Sequence, residues 1–213
     1  YLSTLKLDLN NHTTQIEPHD YIAEICNRIN HINSILIGFS QDIWSYISKN
    51  YFTQMNVAGE IGSSTMPHKI NPINFENAEG NLGMSNALNQ FFANKLTVSR
   101  LQRDLSDSTV LRNLGLTFAY STIAYKNLLL GLSKLDINKN KINIDIDNSW
   151  EVLAEPIQMV ARKYHISNSY EYLKKFTRGK KVNKEIILKI INSLDIPQNE
   201  KNNLAKLTPR KYV

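Results

Sequence analysis

The sequence predicts an all-α protein: a long-helix bundle followed by a smaller helical C-terminal domain. Three observations predict it. Over residues 19–49 the apolar side chains step by three and four, which is one face of a long helix. Only 8 Gly and 6 Pro interrupt 213 residues, so loops should be few and helices long. No segment alternates far enough to be read as a strand. Ile142-Asn143-Ile144-Asp145-Ile146 alternates, but it is short and suits a helix equally well.

The first helix carries the seam Ile22, Ile25, Ile29, Ile32, Leu36, Phe39, Ile43 and Ile47, close to a heptad spacing. Its partner is another helix of this chain or of a second one. Residues 50–70 lose the periodicity, with Gly59, Gly62, Ser63, Ser64 and Pro67 in them. Asn71-Pro72 then reads as a helix start, Asn as N-cap and Pro at the first helical position. The helix that follows, over about 72–95, sets Phe75, Ala78, Leu82, Leu88 and Phe92 near helical spacing, and Gly80, Gly83 and Ala87 would permit close helix approach. A polar link over residues 97–107 leads to a third long helix with core face Val110, Leu114, Phe118 and Leu128. Gly131 and the polar run 136–141 mark a boundary. The expected domains are 1–133, with the loop 59–72, and 134–213, where shorter amphipathic helices fall near 149–164, 168–177, 183–194 and 198–207. Trp44 and Trp150 read as packing residues.

Composition narrows the class. No run approaches the roughly 20 apolar residues of a membrane-spanning helix, and no signal peptide is visible at the start, so no membrane partner is expected. The absence of an initiator Met suggests a fragment or processed product. The single Cys26 permits no internal disulfide, reads as a small buried hydrophobe, and suits a reducing cytoplasmic setting. The net charge of +6 is uneven. Residues 1–133 hold 9 Lys+Arg against 10 Asp+Glu, and residues 134–213 hold 16 against 9. The excess, around Lys174, Lys175, Arg178, Lys180 and Lys181, reads as a solvated helical face, because no aromatic interleaving accompanies it. No nucleic-acid partner is expected. His12, His19, His31 and His165 show no metal-ligand spacing, so neither a metal nor another cofactor is expected.

The segment that carries chemistry is Gly62-Ser63-Ser64-Thr65-Met66-Pro67-His68-Lys69-Ile70-Asn71-Pro72. A Gly-Ser-Ser run is flexible and rich in hydroxyls, as a closing loop is. Lys69, Asn71 and the free amides of the next helix all favour an anion. A loop built this way can hold a carboxylate and present a serine to it. A second cluster is Arg103, Ser108 and Arg112. Ser108 and Arg112 are four apart and share a helix face, with Ser106 or Asp107 available to cap the helix. Two guanidiniums, a hydroxyl and a helix start suit a phosphate monoester. The competing reading pairs the arginines with Asp104 and Asp107 on the surface.

The first segment resembles the signature loop of the fumarase/aspartase superfamily, G-S-S-x-M-P-x-K-x-N-P, at every fixed position. Within it the chain is most similar to the adenylosuccinate lyase family. The similarity is carried by Thr13-Thr14-Gln15-Ile16-Glu17-Pro18-His19-Asp20, Gly80-Asn81-Leu82, Ser99-Arg100 through Arg112-Asn113, and Trp150-Glu151-Val152-Leu153-Ala154-Glu155-Pro156-Ile157-Gln158. It covers essentially the whole chain and corresponds to the second half of such an enzyme. The resemblance implies a bundle of the fumarase/aspartase type and a β-elimination releasing fumarate, from adenylosuccinate to give AMP and from the succinyl-carboxamide imidazole ribotide. It implies Ser63 as the general base, with Ser64 the competing choice on sequence alone. Lys69 and Asn71 would bind the fumarate carboxylate, and Arg103, Ser108 and Arg112 the phosphate end. Gln15, Ser64, Asn77 and Thr109 would make further substrate contacts, Asn77 standing where some relatives have arginine. His68 occupies a variable position and reads as a loop residue. The family's general-acid histidine lies upstream of these residues, and its sites are shared within a homotetramer, so these 213 residues alone are expected to be inactive. Rival readings are another superfamily lyase such as argininosuccinate lyase, which has no phosphate to hold; a non-catalytic helical scaffold; and a basic nucleic-acid module.

Overall fold

The computed structural model describes residues 1–55, 71–179 and 181–213. Among the described residues the protein is all-α apart from one two-stranded ribbon, and the chain divides into two compact units, Tyr1–Ile137 and Asn138–Val213.

In the first unit three long helices pack side by side: α1 (Asp20–Ser48), α2 (Ile73–Leu96) and, after the short α3 (Ser106–Leu111), α4 (Leu114–Ser133). α2 is the central one, packed on both α1 and α4. Two apolar clusters occupy its two ends. Phe75, Ala78 and Leu82 meet Ile43, Ala124 and Leu128 near its start, and Phe92, Ala93 and Leu96 meet Cys26 near its finish. Burial raises the Cys26 thiol above its ordinary pKa, as an inert packing cysteine requires.

Between the two clusters lies a polar layer. Asn33 of α1 donates to Ser85 Oγ of α2 and Ser121 Oγ of α4, both at 3.1 Å. Thr117 Oγ1 reaches Asn89 Oδ1 at 2.7 Å, and Ser85 Oγ lies 2.8 Å from both Thr117 Oγ1 and Ser121 Oγ. Asn33, Ser85, Asn89 and Thr117 are fully buried, which is tolerable because their polar atoms bond one another.

This layer corrects the predicted seams. The inward face of α1 runs through Cys26, Asn33, Ser40 and Ile43, so Ile25 and Ile32 of the predicted seam stand half-exposed. On α4 the buried positions are Thr117, Ser121, Ala124, Leu128 and Gly131, and Phe118 faces outward. The expected third helix is broken at Arg112 and Asn113 into α3 and α4. The expected N-cap also shifts. Pro72 takes that place, its carbonyl accepting from the amides of Phe75 (3.0 Å) and Glu76 (3.2 Å), and Asn71 precedes it. Gly80 and Gly83 meet no atom of the described residues within 4 Å of an added Cβ, so among those residues no helix makes the close approach they permit. Trp44 is half-exposed and donates Nε1–H to Glu76 Oε1 at 3.1 Å.

Strands β1 (Phe52–Gln54) and β2 (Leu135–Ile137) were too short to leave a periodic signal. They pair antiparallel, Thr53 opposite Asp136, and join the finish of α1 to the finish of α4. The ribbon sits by the start of α2: Met55 N–H donates to Lys134 O (2.8 Å), and Lys134 Nζ to Asn74 Oδ1 (3.3 Å).

The second unit contains α5 (Lys139–Asn148), a 3₁₀ turn (Trp150–Leu153), α6 (Ala154–Lys163), α7 (Ser169–Thr177), α8 (Lys184–Ser193), α9 (Gln198–Ala205) and α10 (Pro209–Tyr212). The alternating segment 142–146 lies in α5. Asn138 and Asn183 cap α5 and α8 through the amides of Lys141 and Ile186. The core is aliphatic, with Leu153, Ile157, Leu173, Ile187, Ile190 and Ile191 buried.

Candidate functional site

The residues between α2 and α4 are held by a small set of hydrogen bonds. Asp104 accepts from the Ser106 amide at 3.0 Å and from Arg100 Nε at 2.9 Å, and its own amide donates to Ser99 Oγ. The Ser106 amide first, and then the Arg100 guanidinium, hold the Asp104 carboxyl well below the usual carboxylate range. It is Asp104, not Ser106 or Asp107, that ties the start of α3 down. Asp107 is buried. Its Oδ1 accepts from the Ser108 amide, and its Oδ2 lies 3.7 Å from His19 Nε2.

These bonds show that Arg103 and Arg112 do not pair with Asp104 and Asp107. Asp104 is engaged by Arg100 and lies 4.0 Å from Lys95, and Asp107 faces His19. Both arginines are exposed, and among the described residues neither has a hydrogen-bond or ion-pair partner. Ser108 is half-buried and Thr109 exposed. α3 has only six residues, so the case for an anion here rests on the two guanidiniums and the Ser108 hydroxyl rather than on a helix dipole.

Gln15 is exposed on the segment that precedes α1. Its neighbours Thr14 and Ile16 line a cavity of about 220 Å³ together with Glu17, His19, Ser99, Asp104 and Asp107. Gln15 therefore belongs to the same end of the bundle as Arg103, Ser108, Thr109 and Arg112. Asn71 and Asn77 belong to the other end, by the start of α2. Asn77 is exposed, and its Oδ1 accepts from Asn81 Nδ2 at 2.9 Å. α2 has 24 residues, which at 1.5 Å per residue is about 36 Å. Within one chain the two groups of predicted contacts are thus separated by almost the length of that helix. Gly59, Gly62, Ser63, Ser64, Pro67, His68 and Lys69, all in the loop 59–72, lie outside the described residues, as does Lys180 of the basic cluster.

The sequence reading gave His19 no role. The structure sets it between the Gln15 segment and α3, in a left-handed conformation (φ 65°) immediately before α1. Its amide donates to Glu17 Oε2 at 2.6 Å, and its Nδ1 lies 3.4 Å from the same oxygen. The signal was present in Glu17-Pro18-His19-Asp20, but a histidine without ligand spacing draws no attention in a linear reading.

A family model described as adenylosuccinate lyase C-terminal matches residues 99–213, and one described as lyase matches residues 2–85. The chain is similar over all 213 residues to adenylosuccinate lyases of Legionella pneumophila (58% identical), Buchnera aphidicola subsp. Schizaphis graminum (57%) and Escherichia coli strain K12 (54%), in each case covering 47% of the relative. It therefore spans about half the length of the curated relatives it matches. Among solved structures, class II fumarase from Schistosoma mansoni superposes with a TM-score of 0.65 over 88% of this chain and 39% of its own, at 18% identity. The 3-carboxy-cis,cis-muconate lactonizing enzyme from Pseudomonas putida gives 0.67 over 99% and 48%, also at 18%. These two show a shared fold. The C-terminal family model covers more than half of the chain and bears the same name as the relatives: the chain belongs to the adenylosuccinate lyase family.

Proposed function

We propose that this chain forms part of a C–N lyase that eliminates fumarate from adenylosuccinate, giving AMP, and from the succinyl-carboxamide imidazole ribotide. The observation that carries this reading is the pair of exposed guanidiniums of Arg103 and Arg112 on either side of Ser108 in the chain, without a partner among the described residues, while the nearby carboxylates Asp104 and Asp107 are engaged elsewhere. A phosphate monoester satisfies both arginines, and Arg matches phosphate oxygens in a bidentate way. An argininosuccinate-type substrate has no such group.

In the proposed reaction Ser63, as general base, takes a proton from the carbon next to a succinyl carboxylate. The electron pair moves into that carboxylate, where Lys69 and Asn71 stabilise the developing charge. The C–N bond then breaks with protonation of the leaving nitrogen by an acid contributed from outside these residues, and fumarate departs. Gln15 and Asn77 contact substrate, and Ser64 and Thr109 add hydroxyl donors.

Each complete site draws on more than one copy of the protein, in a homotetramer. Two observations support this. Asn71 and Asn77 are separated from Arg103, Ser108 and Arg112 by most of α2. The long helices also keep apolar side chains outward, among them Ile25, Ile32 and Ile35 of α1, Met84 and Phe91 of α2, and Leu129 of α4. Gly80, Gly83 and Ala87 lie on the exposed face of α2, where a neighbouring helix can approach closely. Among the described residues no helix is long and apolar enough to cross a membrane. A single buried Cys26 suits a cytoplasmic enzyme.

The test is a fumarate-release assay on the full-length protein with adenylosuccinate and with the imidazole ribotide. Release from either supports the assignment, and Ser63→Ala should abolish it. Release from neither overturns it.

A further inference from the structure

The cluster Glu17–His19–Asp107 is unused by the reaction as described above. It joins two segments that both carry proposed substrate contacts. Glu17 lies two residues from Gln15, and its Oε2 holds the His19 amide at 2.6 Å and lies 3.4 Å from the ring Nδ1. The other ring nitrogen, Nε2, faces Asp107 Oδ2 at 3.7 Å, across the gap between the segment before α1 and α3. Asp107 Oδ1 in turn accepts from the amide of Ser108. The chain of contacts therefore runs from beside Gln15 to the backbone of Ser108.

Two features separate this from incidental packing. The His19 side chain is 13% exposed, yet Nε2 is buried without a hydrogen-bond partner, as is Glu17 Oε1. Glu17, His19 and Asp107 all line the cavity of about 220 Å³ between the two segments. An Asp107 carboxylate beside Ser108 would also oppose a bound phosphate unless a donor group faced it, and His19 is the side chain that does so.

We propose that His19 is a positioning residue for the phosphate end of the substrate: held by Glu17 and facing Asp107, it fixes Ser108 relative to Gln15. The inference rests on the nucleotide reading above. His19 touches no reacting atom in this scheme, so its loss should act on binding rather than on the chemical step.

The experiment uses full-length enzyme and three variants, His19→Ala, His19→Asn and Asp107→Ala, together with the double variant. For His19→Ala the KM for adenylosuccinate should rise about tenfold with kcat within about twofold, the pattern of lost uniform binding. AMP affinity, read by calorimetry, should fall by a similar factor. His19→Asn, which tolerates the left-handed backbone and keeps a donor, should recover part of the loss. The double variant should be no worse than the poorer single one, because the two residues act in series. An unchanged KM and AMP affinity in His19→Ala, even with a lowered melting temperature, overturns the inference, as does strict additivity. If wild-type enzyme neither releases fumarate nor binds AMP, the nucleotide reading itself fails and takes this inference with it. An active wild type with an indifferent His19→Ala removes only the latter.

Discussion

Tyr125 donates its phenolic hydrogen to Asn33 Oδ1 across 2.6 Å, joining α4 to α1. Asn33 spends its amide hydrogens on Ser85 and Ser121, so one side chain joins all three long helices. Truncating it removes a hydrogen bond from two buried serines and from the part-buried Tyr125 at once. Asn33→Ala should destabilise the full-length protein by about 2–4 kcal/mol, read from the denaturant midpoint at unchanged slope. A loss below about 0.5 kcal/mol, the level of an ordinary surface substitution, would mean the layer is not energetically coupled.

Gly131 faces the ring of Phe75. A Cβ there would lie 2.9 Å from both Cε2 and Cζ, and 3.1 Å from Asn74 Cβ. Gly131→Ala is therefore predicted to lower stability by about 1–3 kcal/mol through overpacking, although alanine is the better helix former. Adding Phe75→Leu should return part of that loss in a double-mutant cycle. A stabilised Gly131→Ala protein would contradict the packing.

Arg103 and Arg112 should matter through the phosphate. Each alanine variant of the full-length enzyme is expected to lose about ten- to a hundredfold in kcat/KM, the range of a lost charge-assisted hydrogen bond. Lysine at either position should recover little, because a bidentate fork is replaced by a point charge. Kinetics of the two alanine variants are the most direct check, and full activity in both would remove the phosphate assignment.

Asp104 sets a pH dependence. Its folded-state pKa is depressed, so its stabilisation is fully present above the unfolded carboxylate value near 3.9 and is lost as the pH falls through the still lower folded value. The stability difference between wild type and Asp104→Asn should be constant from about pH 5 to 8 and shrink only in stronger acid. Paired denaturation curves at several pH values measure it. A difference that grows on acidification has the wrong sign for this carboxylate.

Long helices were legible in the sequence because periodicity reports burial directly. Four helices of the second unit, over 154–163, 169–177, 184–193 and 198–205, fall within the segments read from amphipathic spacing, whereas α5 and α10 lie outside them. The inward faces of α1 and α4 were less legible. A reading that seeks apolar residues cannot anticipate Asn33, Thr117 and Ser121 at the centre of a bundle, because their burial depends on partners 28 to 92 residues away. The break at Arg112 and Asn113 was invisible for another reason: no Gly or Pro marks it. At the candidate site the sequence could name Arg103, Ser108 and Arg112 by spacing. It could not say that Asp104 turns to Arg100, or that Asp107 turns to His19. The first is a local choice among neighbouring residues, and the second depends on chain segments brought together only by folding.

The length of α2 has a genetic corollary. A protein defective at Asn77 keeps its arginine end intact, and one defective at Arg112 keeps its loop end intact. If neighbouring subunits pool opposite ends, co-expressing these two silent alleles should revive turnover in mixed assemblies, while two lesions at the same end should not. One helix too long for its own substrate would then make a pair of null alleles mutually corrective.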